Sequence, residues 1–105
     1  MSEKKTDLVI IKNTANKILP ECKVLLFGSR ARNEANAHSD YDVMLIVSEN
    51  IEIHKKMQYK ALFRKMMVKY GLIADVFIES EEELQEKSAF LGHIVRTAVK
   101  EGIYL

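Results

Sequence analysis

The stretch YDVMLIV, residues 41–47, decides the fold. It is a β-branched and apolar run of strand length, and it starts among acids: Asp40 precedes it and Asp42 is its second residue. Alternate residues of a strand point the same way, so Asp40 and Asp42 project from one face while Tyr41 and Val43 project from the other. Two carboxylates at the mouth of a buried strand repel each other and cost desolvation, so a sheet gains nothing from them. Their presence asks for a cation at that edge.

Working outward, ECKVLLFG (21–28) reads as a second short buried strand, with Val24 to Phe27 closed by Gly28. Between the two strands, residues 30–39 (RARNEANAHS) are too polar for a core element and read as one short helical turn followed by a loop. Downstream, residues 51–69 place Ile53, Met57, Ala61, Leu62 and Met66 at helical spacing. Lys55, Lys56, Lys60, Lys65 and Lys69 fall mostly elsewhere, giving an amphipathic helix with a basic face. Gly71 closes that helix, and LIADVFIE (72–79) reads as a third strand with one acid, Asp75, inside its apolar run, where a buried carboxylate would need a partner.

The flanks complete the pattern. Ser80 followed by Glu83 forms a capping-box signature that opens a helical stretch at about 81. The helical pattern resumes through Phe90, Leu91, Ile94, Val95 and Ala98 to Gly102, and GIYL ends the chain as a short edge strand. At the other end, Leu8, Ile11, Ala15, Ile18 and Leu19 follow a cap at Thr6, and Pro20 disfavours helical geometry at Leu19. The order helix, strand, strand, helix, strand, helix predicts an α/β (α+β) fold with a small mixed β-sheet flanked by helices, built as a single domain over residues 1–105.

Sixteen Lys and Arg against fifteen Asp and Glu leave a net charge of +1, so overall charge gives no strong nucleic-acid signal. MSEKKTDLVI is charged where a signal peptide needs an apolar stretch, and no apolar run approaches the roughly 20 residues of a membrane span. The expected location is the cytoplasm, with no membrane partner. The single cysteine, Cys22, excludes an internal disulfide and reads as a small buried hydrophobe. His54 and His93 show no zinc-like spacing and receive no role, while His38 reads as a solvent-facing loop histidine with a phosphate contact as its alternative. Tyr41, Met66 and Met67 read as packing residues.

Hard carboxylate oxygens without Cys or clustered His suit Mg²⁺ or Mn²⁺. If the third strand pairs beside the second, Asp75 joins Asp40 and Asp42 on one face, and three acids around two metals make an in-line phosphoryl or nucleotidyl transfer site. Gly28 and Ser29 supply the phosphate side, since glycine lets backbone approach closely and a serine hydroxyl with adjacent N–H groups hydrogen-bonds an anion. Arg30, and less directly Arg32, add positive charge there, with a simply solvated arginine as the alternative.

The segment FGSRARNEANAHSDYDVMLIV resembles the G-S-x10-D-x-D signature of nucleotidyltransferases similar to DNA polymerase beta, and in particular the minimal nucleotidyltransferase (MNT) proteins. Gly28, Ser29, Arg30, Ala31, Arg32, Ser39, Asp40 and Asp42 match, while Asn33 stands where that family usually has glycine. The resemblance extends to Asp75 in IADVFI and to the terminal EGIYL. It implies a polymerase-beta-like nucleotidyltransferase palm with Asp40, Asp42 and Asp75 as catalytic metal ligands for two Mg²⁺ ions, Mn²⁺ substituting, and with Gly28, Ser29 and Arg30 binding the nucleotide phosphates. It further implies an antitoxin that moves AMP from ATP onto a tyrosine of a nearby-encoded HEPN-domain ribonuclease toxin, with which it forms a hetero-oligomer. Two alternatives stay open: a non-catalytic antitoxin that neutralises by binding, and a nucleotidyltransferase acting on RNA ends or a small molecule. The basic face of the 51–69 helix reads as a solvated face, with docking of the toxin or another acidic partner as its alternative.

Overall fold

The computed structural model of the chain describes residues 3–28, 40–89 and 94–105. Its elements run α1 (Glu3–Ile18), β1 (Lys23–Phe27), β2 (Tyr41–Val47), α2 (Ile53–Lys69), β3 (Ala74–Ser80), α3 (Glu81–Ser88), α4 (Ile94–Glu101) and β4 (Ile103–Tyr104). The four strands form one mixed sheet in the order β3-β2-β1-β4. β1 is antiparallel to both β2 and β4, and β2 is parallel to β3. A parallel neighbour cannot be reached by a hairpin, so α2 is the crossover that carries the chain from the end of β2 back to the start of β3.

Strand alternation sorts the core into two layers. On one face Val24, Leu26, Tyr41, Val43, Leu45, Val76 and Ile78 pack against Ile11 and Ala15 of α1 and Phe63 and Met67 of α2. On the other, Leu25, Phe27, Met44 and Ile46 pack against Val95 and Ala98 of α4, with Phe77 and Leu84 beside them. Sheets covered on both faces lose polar-apolar alternation, which is why VLLF and VMLIV read as continuous apolar runs.

Several expectations are corrected. α1 starts by Glu3, so Thr6 lies inside the helix and does not cap it. The apolar residues expected to face the core from α2 mostly face away: Ile53, Met57 and Leu62 are exposed, as is Ala61, and Met66 is half-buried. The buried positions of α2 are Lys56, Phe63 and Met67. Lys56 is tolerable there because its ammonium donates to both Glu83 carboxylate oxygens, at 2.8 and 2.7 Å. Burial alone would raise the Glu83 carboxyl, but the Lys56 hydrogen bond and the Ser80 backbone N–H outweigh it and hold the group below the usual carboxylate range. Glu83 is also the reciprocal half of the expected capping box, accepting from Ser80 N at 2.9 Å while Ser80 Oγ accepts from Glu83 N at 3.0 Å. Ser80 Oγ donates in turn to Asn50 Oδ1.

Cys22 is buried as expected, and burial pushes its thiol up from the ordinary value, which keeps it unreactive. No helix among the described residues is long and apolar enough to cross a membrane.

Candidate active site

The acids gather where three strands begin or end. The β1–β2 register sets Phe27 opposite Asp42, and the parallel β2–β3 register sets Asp42 beside Asp75. Asp42 and Asp75 share strand parity with Met44 and Phe77, so both lie on the sheet face that α3 and α4 cover farther along. Asp40 comes two residues before Asp42, immediately ahead of β2. Asp40 and Asp75 are exposed and Asp42 is half-buried. Asp75 is therefore not the buried carboxylate that its apolar run suggested. Met44 and Phe77 mark where the covered part of that face begins, and the acids stand beyond it.

Gly28 closes β1 at the same edge with φ +74°, a conformation that glycine adopts without steric cost. A side chain at Gly28 would overlap Oδ2 of Asp42 and put its Cβ 3.0 Å from the Asp42 Cγ. The glycine thus leaves the space that the Asp42 carboxylate occupies, which ties the glycine of the signature to its second aspartate.

Tyr41, between the two acids, points to the opposite face and is buried, and its hydroxyl donates to Asp7 Oδ2 of α1 at 2.6 Å. Its backbone N–H donates to the Ile73 carbonyl at 3.0 Å. The residue separating Asp40 from Asp42 is therefore held by α1 on one side and by the start of β3 on the other. Asp7 was not singled out from the sequence, because nothing local links it to a residue 34 positions away. Beneath the acids, the Phe27 and Phe77 rings pack at a centroid distance of 5.7 Å, and Lys60 reaches from α2 to place its ammonium 5.8 Å from the Phe77 ring centroid.

Ser29 and Arg30, the other expected phosphate-binding residues, lie outside the described residues, as do Arg32, Asn33, His38, Ser39 and the expected helical turn between the strands. Phe90, Leu91 and His93 also lie outside them. Among the described residues no three Asp, Glu, His or Cys side chains are drawn around a common point. Asp40, Asp42 and Asp75 are thus placed along one edge without being closed into a cluster. Their donor set, carboxylate oxygen only, fits a hard divalent cation such as Mg²⁺ and does not suit a soft metal.

Residues 9–98 match the family model of polymerase beta nucleotidyltransferases. A protein of Methanocaldococcus jannaschii named as a protein adenylyltransferase is 30% identical over 80 residues, covering 76% of this chain and 73% of that protein. A Haemophilus influenzae protein named as the protein adenylyltransferase MntA is 30% identical over 60 residues, 57% of this chain and 53% of that one. Among solved structures, a toxin–antitoxin complex with AMP-PNP contains a chain with TM-score 0.64 at 12% identity, covering 98% of this chain and 72% of that one. A tri-AMPylated Shewanella oneidensis HEPN toxin in complex with MNT antitoxin gives TM-score 0.59 at 12% identity, covering 96% and 70%. At such identities the structural likeness speaks for the fold.

Proposed function

This chain belongs to the polymerase beta nucleotidyltransferase family, and we propose that it acts as an antitoxin that transfers AMP from ATP onto a tyrosine hydroxyl of a partner HEPN ribonuclease toxin. The observation that carries the reading is the register that sets Asp42 beside Asp75 on one sheet face, with Asp40 two residues away and the Gly28 backbone against the Asp42 carboxylate. The names of the two relatives support protein as acceptor, and the MNT–HEPN complex supports the class of partner.

In this reading Asp40, Asp42 and Asp75 are the carboxylates that would hold the divalent ions. Bound Mg²⁺ or Mn²⁺ would supply charge neutralisation on the phosphate oxygens. Gly28, with Ser29 and Arg30, binds the triphosphate. The acceptor oxygen forms a bond to the α-phosphorus, the bond from that phosphorus to the bridging α–β oxygen breaks, and pyrophosphate leaves. Asp75, exposed at the edge, is the carboxylate that takes the acceptor proton. The work is positioning and electrostatic stabilisation, the terms that dominate phosphoryl and nucleotidyl transfer.

The test is incubation with α-labelled ATP, Mg²⁺ and a co-encoded HEPN ribonuclease. Label on a ribonuclease tyrosine, lost in Asp42→Asn, is the expected result. Neutralisation without label would replace the enzyme by a binding antitoxin, and label on RNA or a small molecule instead would replace the acceptor class.

A further inference from the structure

α2 has two apolar faces, and only one of them is used. Phe63 and Met67 point into the sheet, whereas Ile53, Met57 and Val68 are 63%, 59% and 66% exposed. Met57, Ala61, Arg64 and Val68 follow one another at spacings of four, three and four, all exposed, which is the seam spacing by which one helix packs along another. The sequence contains no acid between Ile53 and Lys69, but six Lys and Arg. Lys56 is committed to Glu83, and Lys55, Arg64, Lys65 and Lys69 are exposed along the same helix. In a chain of net charge +1 this is a strongly local excess.

We propose that this outer seam of α2 is the docking surface for an acidic amphipathic helix of a partner protein, which lays an apolar ridge along Met57, Ala61 and Val68 and sets carboxylates against Arg64 and Lys65. The proposal rests on the protein-acceptor reading above for the partner's identity as the acceptor. The aliphatic seam argues for protein over nucleic acid, whose phosphates would use the basic residues and leave Ile53, Met57 and Val68 unmatched. Among the described residues, the acid-rich helix α3 of this chain does not supply such a partner face: it exposes no large apolar side chain, since its Leu84 packs against the second core layer. Location supports the role, because only residues 70–73 separate α2 from β3, the strand whose second residue is Asp75. A helix seated on this seam would run along α2 toward the sheet edge at which Asp42 and Asp75 are register partners, with Phe63 and Met67 of α2 packed on the opposite sheet face from those carboxylates.

Fluorescence anisotropy on the intact chain tests the surface with three probes: a labelled 17-residue helical peptide with Leu at spacings of four and three flanked by Glu, a scrambled peptide of the same composition, and a 17-nucleotide single-stranded RNA. The patterned peptide should bind at least ten times more tightly than the scrambled one, weaken with added salt, and lose at least tenfold in Met57→Ser/Val68→Ser, whose sites are exposed and whose melting curve should be unchanged. Equal binding of both peptides, tighter binding of the RNA, or patterned binding that survives the double substitution overturns the proposal. With a co-encoded HEPN ribonuclease, the same variant should lose at least tenfold in transfer rate while still binding ATP. Wild-type transfer that the variant matches rejects the seam and leaves the transferase reading intact, whereas a wild-type chain that never labels the ribonuclease rejects that reading and leaves the peptide arm to decide the seam.

Discussion

Replacing Gly28 by alanine separates the two things that the glycine does. The backbone at φ +74° would carry a Cβ at a cost of about 1–2 kcal/mol, the usual penalty for left-handed geometry in an L-residue. The new methyl would also overlap Asp42 Oδ2 and lie 3.0 Å from Cγ and 3.2 Å from Cβ. Restoring ordinary carbon contact requires Cγ to retreat by at least ~0.5 Å and the carboxylate oxygen by more. A displacement approaching 1 Å in a positioning group lowers rate by up to about 100-fold. Gly28→Ala should therefore melt lower by roughly 4–8 °C for each kcal/mol of strain and transfer AMP about 100-fold more slowly. A double-mutant cycle distinguishes the contributions: in an Asp42→Ala background the overlap with the carboxylate is gone, so Gly28→Ala should cost only the backbone term. Thermal melts by circular dichroism and transfer from labelled ATP measure both quantities. A Gly28→Ala protein with wild-type rate and melting temperature, or a stability cost identical in the two backgrounds, would refute the claim that the glycine makes room for the carboxylate.

Asp75 is exposed, so Asp75→Asn should leave the melting curve within about 0.5 kcal/mol of wild type while transfer falls by about two to three orders of magnitude; an unchanged rate removes Asp75 from the chemistry. Tyr41→Phe deletes the donation to the half-buried Asp7 carboxylate and should lower stability by about 1.5 kcal/mol in urea titration, with an unchanged midpoint counting against that bond as a clamp on β2. Glu83 is held below its ordinary range, so its contribution is fully present above the unfolded value of about 4.3 and is lost as pH falls through the lower folded value. Lys56→Met should flatten that acid limb of stability, and a limb as steep as wild type would show that another carboxylate sets it.

How much of this was legible in the sequence depends on which interaction fixes each feature. Strand parity is local, so the opposite faces of Tyr41 and Asp42 follow from residues 41–43 alone. Helical period is local too, but α2 has apolar residues on two faces, and period does not say which of them meets the sheet. Choosing Ile53, Met57, Ala61, Leu62 and Met66 as the core face excluded Lys56 on charge, and Lys56 is tolerable only because Glu83 lies 27 residues farther along. The capping box Ser80–Glu83 was visible as a pattern; that its glutamate also neutralises a buried lysine was not, since nothing in the spacing encodes it. Asp75 was misread as buried for a related reason. An apolar run containing an acid does not reveal that the sheet extends past its covering helices, and Met44 and Phe77 mark that limit only in three dimensions.

The condition on which the site depended was pairing of β3 beside β2, and element lengths account for it. β2 has seven residues, about 23 Å of extended chain, and α2 has 17, about 25 Å of helix. A crossover helix as long as the strand it covers returns the chain to the end where that strand began. The first residues of β3 are then delivered next to the first residues of β2, and with parallel pairing Ala74 meets Tyr41 and Asp75 meets Asp42. An acid one residue into β3 and an acid one residue into β2 thus become neighbours on one face because both strands enter the sheet from the same side. The same length brings the C-terminal end of α2 to that edge, so the helix that aligns the carboxylates also ends beside the strand that carries one of them.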